Sequence, residues 1–217
     1  GKGLDPFLSS TSANIKGDIS NIRYGNYSVS NIQLDGSLNN HLLQTTLTSQ
    51  YPLAKMNLLL DATLYKEKIN ATLKANVEHF DFYGMHLMND PLKTSFQLLA
   101  KAETDRSKNH FLNVSLDQWK LIVPNKTYSP KSLTLKANSE KDTTNVFFQS
   151  GDFNLTLNGT GDIGSIIDKL SQTGNLLTQQ FIQDSTIHIS AIRPLLPNLD
   201  LKIHAQKENP VYNLLQF

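Results

Sequence analysis

The 217-residue chain contains no cysteine. That excludes a disulfide scaffold and thiolate metal sites, so packing and hydrogen bonds alone must hold the fold. Charge is scarce too: 18% of residues are charged, and the formal net charge is +1. A chain so balanced has no field to steer an acidic partner, and neither nucleic acid nor a nucleotide is expected. No apolar run approaches the roughly 20 residues a helix needs to cross a bilayer. Hydrophobic residues are few at 39%, and Ser, Thr and Asn take their place, as in β proteins with a wet face.

Catalytic signatures are also missing. The histidines (His41, His79, His86, His110, His188, His204) have no ligand spacing and no His-Glu-x-x-His. His79 and His86 flank Asp81 with no further ligand to name. There is no Gly-x-Ser-x-Gly, and Asp61, Glu78 and Asp200 fall on wet sides of alternating segments. No catalytic residue, metal site or cofactor follows, and an enzyme is not expected.

One motif imitates a dinucleotide fingerprint: Gly159-Thr160-Gly161-Asp162-Ile163-Gly164, with Asp184 about 20 residues on. The strand before it alternates, with Asn154, Thr156 and Asn158 on one side. The strand of a true fingerprint is apolar on both faces. Asp162 would also set a carboxylate against the pyrophosphate. The similar cluster Gly17-Asp18-Ile19 suggests a repeated turn instead.

What the chain does have is alternation. Ile69, Ala71, Leu73, Ala75 and Val77 interleave with Asn70, Thr72, Lys74, Asn76 and Glu78, the pattern of a half-buried strand. Similar runs carry Leu58, Leu60, Leu64; Phe96, Leu98; Val114, Leu116; Leu133, Leu135; Phe153, Leu155, Leu157; Ile187, Ile189; and Leu201, Ile203. Turns are expected at Gly25-Asn26, Asp35-Gly36, Tyr51-Pro52, Lys66-Glu67-Lys68 and 103–109, which argues for antiparallel neighbours. An aromatic corner recurs: Ile19-x-x-Ile22-x-Tyr24, Val77-x-x-Phe80-x-Phe82 and Leu116-x-x-Trp119-x-Leu121. Its aromatics suit core plugs at a bend better than a sugar platform.

One stretch breaks the rhythm. Ile163, Ile166, Ile167, Leu170, Leu177 and Phe181 sit at helical spacing, Ser165 and Asp168 suggest a capping box, and Gly174 should weaken or split the helix. The reading is therefore mainly β. It comprises a repetitive antiparallel sheet over 1–162, an amphipathic helical insert over 163–183, returning strands over 184–208 and a helix start over 209–217. Gly1 in place of Met, and a stripe opened by Asn209-Pro210 that stops at Phe217, suggest an excised fragment of a longer protein.

A single helix cannot cover so many strands. Either the sheet folds into a closed β-sandwich, as in a binding or structural module of a surface or secreted protein, or it curves into an open trough. Each uncovered Leu or Ile forgoes about 1.5–3 kcal/mol, so a trough calls for a ligand. Acyl chains suit it, at about 0.8 kcal/mol per methylene.

The stretches Ile15-Lys16-Gly17-Asp18-Ile19-Ser20-Asn21-Ile22-Arg23-Tyr24-Gly25 and Ser30-Asn31-Ile32-Gln33-Leu34-Asp35-Gly36-Ser37-Leu38 resemble repeats of TamB-like proteins in the AsmA-like group. Phe153-Asn154-Leu155-Thr156-Leu157-Asn158-Gly159 and the helix after it are similar to their interrupted sheet repeats. The resemblance implies an interior piece of an elongated, curved periplasmic sheet whose parent is anchored in the inner membrane. It implies carriage of phospholipid acyl chains toward the outer membrane, and work with an outer-membrane barrel partner in protein assembly. It supplies no catalytic residues. The expected groove lining is Leu58, Leu60, Leu64, Leu73, Val77, Phe96, Leu98, Val114, Leu116, Leu155, Leu157, Ile187, Ile189, Leu201 and Ile203.

Overall fold

The computed structural model describes residues 1–24, 27–184 and 186–206. Alternating segments become β1 (Ser12–Tyr24), β2 (Tyr27–Asn39), β3 (Leu42–Tyr51), β4 (Ala54–Leu64), β5 (Ile69–Asp81), β6 (Lys93–Thr104) and β7 (His110–Val123). Then come β8 (Lys126–Tyr128), β9 (Leu133–Ser139), β10 (Thr143–Ser150) and β11 (Phe153–Thr160). Helix α1 (Ile163–Asp184), helix α2 (Ile189–Ile192), a 3-10 turn (Arg193–Leu195) and β12 (Leu199–His204) complete the order.

All twelve strands lie in one antiparallel sheet, ordered β1-β2-β3-β4-β5-β6-β7-β9-β10-β11-β12, with β8 paired to the end of β7. Strands β1 and β12 each have one neighbour, so the sheet stays open. Among the described residues no second sheet covers it, and the closed sandwich is not formed. Hairpins follow from the short links, Pro52-Leu53 and 65–68 among them.

Two expected turns are strand instead. Gly17 and Asp35-Gly36 lie inside β1 and β2, where Gly17 faces Leu34 and Lys16 pairs with Asp35 at 3.5 Å. Alternation simply runs through these glycines. The real turn is Asn40-His41, both left-handed with φ of 45° and 67°, as a two-residue hairpin requires. Gly25-Asn26 and the 209–217 helix start lie outside the described residues.

The helical insert forms as one helix through Gly174. No atom stands within 4 Å of a Cβ built there, and a single glycine costs only about 1 kcal/mol. The cap is Asp162 rather than Ser165. Its carboxylate accepts the Ser165 amide and hydroxyl, each at 3.0 Å, and its carbonyl accepts the Ile166 amide.

Among the described residues of 184–208 there is one strand, not two. Ile189 joins α2, where Ile189 and the buried Ile192 stand three apart, and Pro194 and Pro197 cannot serve as ladder donors. Ile187 and Ile189 thus leave the sheet and are not groove lining.

The corner motif has a structural cause. Between β4 and β5, Lys55 pairs with His79 and Met56 with Val77, leaving Glu78 extra. Strands β5 and β6 slip again between Val77 and Phe80, and β6 and β7 slip between Ser95 and Gln97, where Gln118 has φ 50°. These are β-bulges, aligned across four strands. An inserted residue shifts the phase, so Val77 and Phe80, three apart, reach the same face. The first copy, around Ile19 and Ile22, has no register slip, and Ile22 is exposed.

Candidate functional site

Register carries one apolar face across the whole sheet. Leu47, Leu58, Ala75, Leu98, Leu116 and Leu133 form one row. Leu60, Leu73, Ala100, Val114, Leu135, Phe148, Leu155 and Ile203 form the next. A third runs Ala13, Leu38, Leu43, Ala62, Ala71, Ala102, Leu112, Ala137, Val146, Leu157 and Leu201, from β1 to β12. Partners directly opposite in a ladder share a face, so these rows follow from pairing alone. Ten strand spacings give the track a length of about 48 Å.

The face is under-covered. Buried apolar side chains among the described residues are Ala54, Ala62, Ala75, Val77, Ile166 and Ile192. Most of the leucines in the rows are only half-buried. The chain exposes 14285 Å², against about 10,000 Å² for a compact monomer of its mass.

The sheet also bends. The Arg106 guanidinium, between β6 and β7, lies 4.4 Å from the centre of the Phe7 ring, just before β1. In a flat sheet those strands stand about 24 Å apart. Residues 5–11 are folded into turns by Leu8 N–H to Asp5 O and Thr11 N–H to Leu8 O, so they cannot span that gap.

The two ends of the strands differ. At the bulged end, Ser49, Asp81 and Thr94 are buried. Thr94 donates to the Lys120 carbonyl at 2.9 Å and accepts the Trp119 indole N–H at 3.3 Å. Phe80 and Phe82 pack edge-on at 4.8 Å, and Trp119 packs edge-on against Tyr128 at 6.4 Å. Burial pushes the Asp81 carboxyl up, but the Gly84 amide at 2.8 Å and Lys93 at 3.2 Å outweigh it, so its pKa lies below the ordinary value.

At the other end a cavity of about 340 Å³ crosses β5, β6, β7, β9 and β10. Its floor is Ala71, Ala102, Leu112 and Ala137, its outer wall Ile69, Thr104, His110, Ser139 and Thr144, and Ile163 caps it. The wall's polar groups are engaged. Thr104 Oγ1 meets His110 Nδ1 at 2.8 Å. Ser139 Oγ and Thr144 Oγ1 are 3.1 Å apart, Ser139 Oγ accepts the Ile163 amide, and Thr144 donates to the Gly161 carbonyl. Beyond this end α1 departs, seated by Ile166 over Gly159. It contacts α2 and the 3-10 turn, and Ile166, Thr173 and Gln180 are buried, while Ile167, Leu170 and Phe181 stay exposed.

Thirteen of the fifteen expected lining residues share the apolar face: Leu58, Leu60, Leu64, Leu73, Val77, Phe96, Leu98, Val114, Leu116, Leu155, Leu157, Leu201 and Ile203. Ile187 and Ile189 do not, and both are exposed beside α2. Alternation puts Ala71, Ala102 and Ala137 on the apolar sides of their strands, but that they adjoin depends on register. The fingerprint-like glycines sit where β11 gives way to α1. There the Asp162 carboxylate occupies the helix N-terminus and Ile166 fills the space above Gly159. No group of metal-ligating side chains occurs among the described residues. No protein-family model matches the chain, and neither the curated proteins nor the solved structures contain a match.

Proposed function

We propose that the chain is a section of a lipid conduit, holding phospholipid acyl chains against its open apolar face. The observation carrying this reading is an apolar track about 48 Å long on a bent sheet that nothing else among the described residues covers. A bilayer core of about 30 Å holds two leaflets, so one tail spans about 15 Å. The track is several tails long, and a tail can move along it with little apolar surface returned to water at any step. The resemblance to TamB-like repeats gives the setting: the periplasm, within an inner-membrane-anchored parent, delivering lipid outward and supporting assembly with a barrel partner. No residue acts as a catalyst in this role.

Native mass spectrometry of the purified chain mixed with phosphatidylethanolamine vesicles tests it. Bound phospholipid is expected on the wild type and strongly reduced on Leu73→Asp. A chain that takes up no lipid, or a Leu73→Asp variant that takes up as much, overturns the proposal.

A further inference from the structure

We propose that the alanine-floored cavity beside α1 receives the terminal segment of one acyl chain, and that it distinguishes lipids by tail rather than headgroup. This rests on the conduit reading and adds a fixed station to it. The cavity arises from register: Ala71, Ala102 and Ala137 fall in one row with Leu112, where the next row inward carries Leu73, Val114, Leu135 and Phe148. Small side chains there leave about 340 Å³ empty. An apolar cavity of about 150 Å³ accepts benzene, so this one accepts about ten to twelve carbons.

The occupant's chemistry follows from the walls. Thr104, Ser139 and Thr144 already bond to His110, to one another and to the backbone of Gly161 and Ile163, so the wall does not call for a polar ligand atom. A headgroup placed inside would be stripped of water without return. At the mouth, loops 65–68, 105–109 and 140–142 together with Glu103 and Asp162 carry five cations and six anions, a nearly balanced rim. Lys68 pairs with Glu103 at 2.8 Å and Lys108 lies 3.9 Å from Asp162. Such a rim gives no preference between zwitterionic and anionic headgroups.

Alanine-methyl NMR of the chain tests this with sodium dodecanoate, didodecanoyl phosphatidylcholine and didodecanoyl phosphatidylglycerol as probes. Saturable shifts are expected first at Ala71, Ala102 and Ala137, with the two phospholipids binding within threefold of each other. Ala137→Phe, or Ala102→Leu should the first fold poorly, should weaken dodecanoate at least tenfold while circular dichroism is unchanged. Shifts confined to Ala75 and Ala100 would overturn the station and leave the conduit standing. Absence of shifts anywhere on the face would overturn both. A tenfold preference between the phospholipids would overturn tail selection.

Discussion

The two ends of the same strands solve opposite problems. At the bulged end an extra residue in each of several neighbouring pairings turns Phe80, Phe82 and Trp119 together, and Asp81 and Thr94 are buried with partners. At the α1 end the alternation is unbroken, alanines meet alanines, and a cavity remains. The difference teaches that strand phase, more than overall hydrophobicity, decides where this sheet seals itself and where it stays receptive. Leucine-rich rows between the two ends are left half-covered because neither device reaches them.

The largest effect expected is on the face itself. Leu98 and Leu99 are adjacent and point to opposite sides of β6. Leu98→Arg should reduce bound phospholipid at least tenfold in native mass spectrometry, and Leu99→Arg should leave it unchanged. Equal loss from both would erase the distinction between the faces.

The packed end should break independently of lipid. Asp81→Ala strands the Gly84 amide and Lys93, and about 1–3 kcal/mol of unfolding free energy should be lost in urea titration, with lipid uptake retained by the folded fraction. Because the carboxyl pKa is depressed in the folded state, its contribution is complete above the ordinary value of 3.8 and lost as the pH falls through the lowered one. Asp81→Asn should therefore flatten the loss of stability below about pH 4. An unchanged acid limb would show that another carboxylate governs it.

The helix attachment comes next. A Cβ at Gly159 would stand 2.6 Å from Ile166 Cδ1 and 2.8 Å from Leu199 Cδ2, so Gly159→Ala should cost about 1–2 kcal/mol. Hydrogen exchange should quicken in α1 and β12 but not at the bulged end. Smallest of all, Asp162→Ala removes the cap of α1, and faster exchange is expected only in its first turn. Exchange that quickens across the whole sheet in either variant would mean that the two ends do not fold separately.

Much of this sheet was legible in the residues. Strict alternation in Ile69–Val77 fixes a face, and neighbouring alternating runs with short links predict antiparallel pairing. The corner was legible as a repeat but not as a bulge, because the same i, i+3 apolar spacing accompanies an inserted residue at Val77 and Phe80 and none at Ile19 and Ile22. Ile187-x-Ile189 fits a strand as well as a helix start, and only the prolines at 194 and 197 argued otherwise. Asn40-His41 lacks the glycine that usually advertises a mirror-type turn, while Asp35-Gly36 has it and is strand. The cavity was illegible because no local pattern says that Ala71, Ala102 and Ala137 meet. That knowledge needs three registers at once.

The absence of cysteine permits a clean test of the central claim. Single Leu98→Cys and Leu99→Cys variants can each carry a nitroxide label, with spectra recorded before and after adding phosphatidylethanolamine vesicles. Immobilisation of the label at 98, shielding it from a water-soluble relaxant, with the label at 99 unaffected, is the predicted result. Labels that respond alike, or neither responding, would contradict a one-sided apolar face that receives lipid.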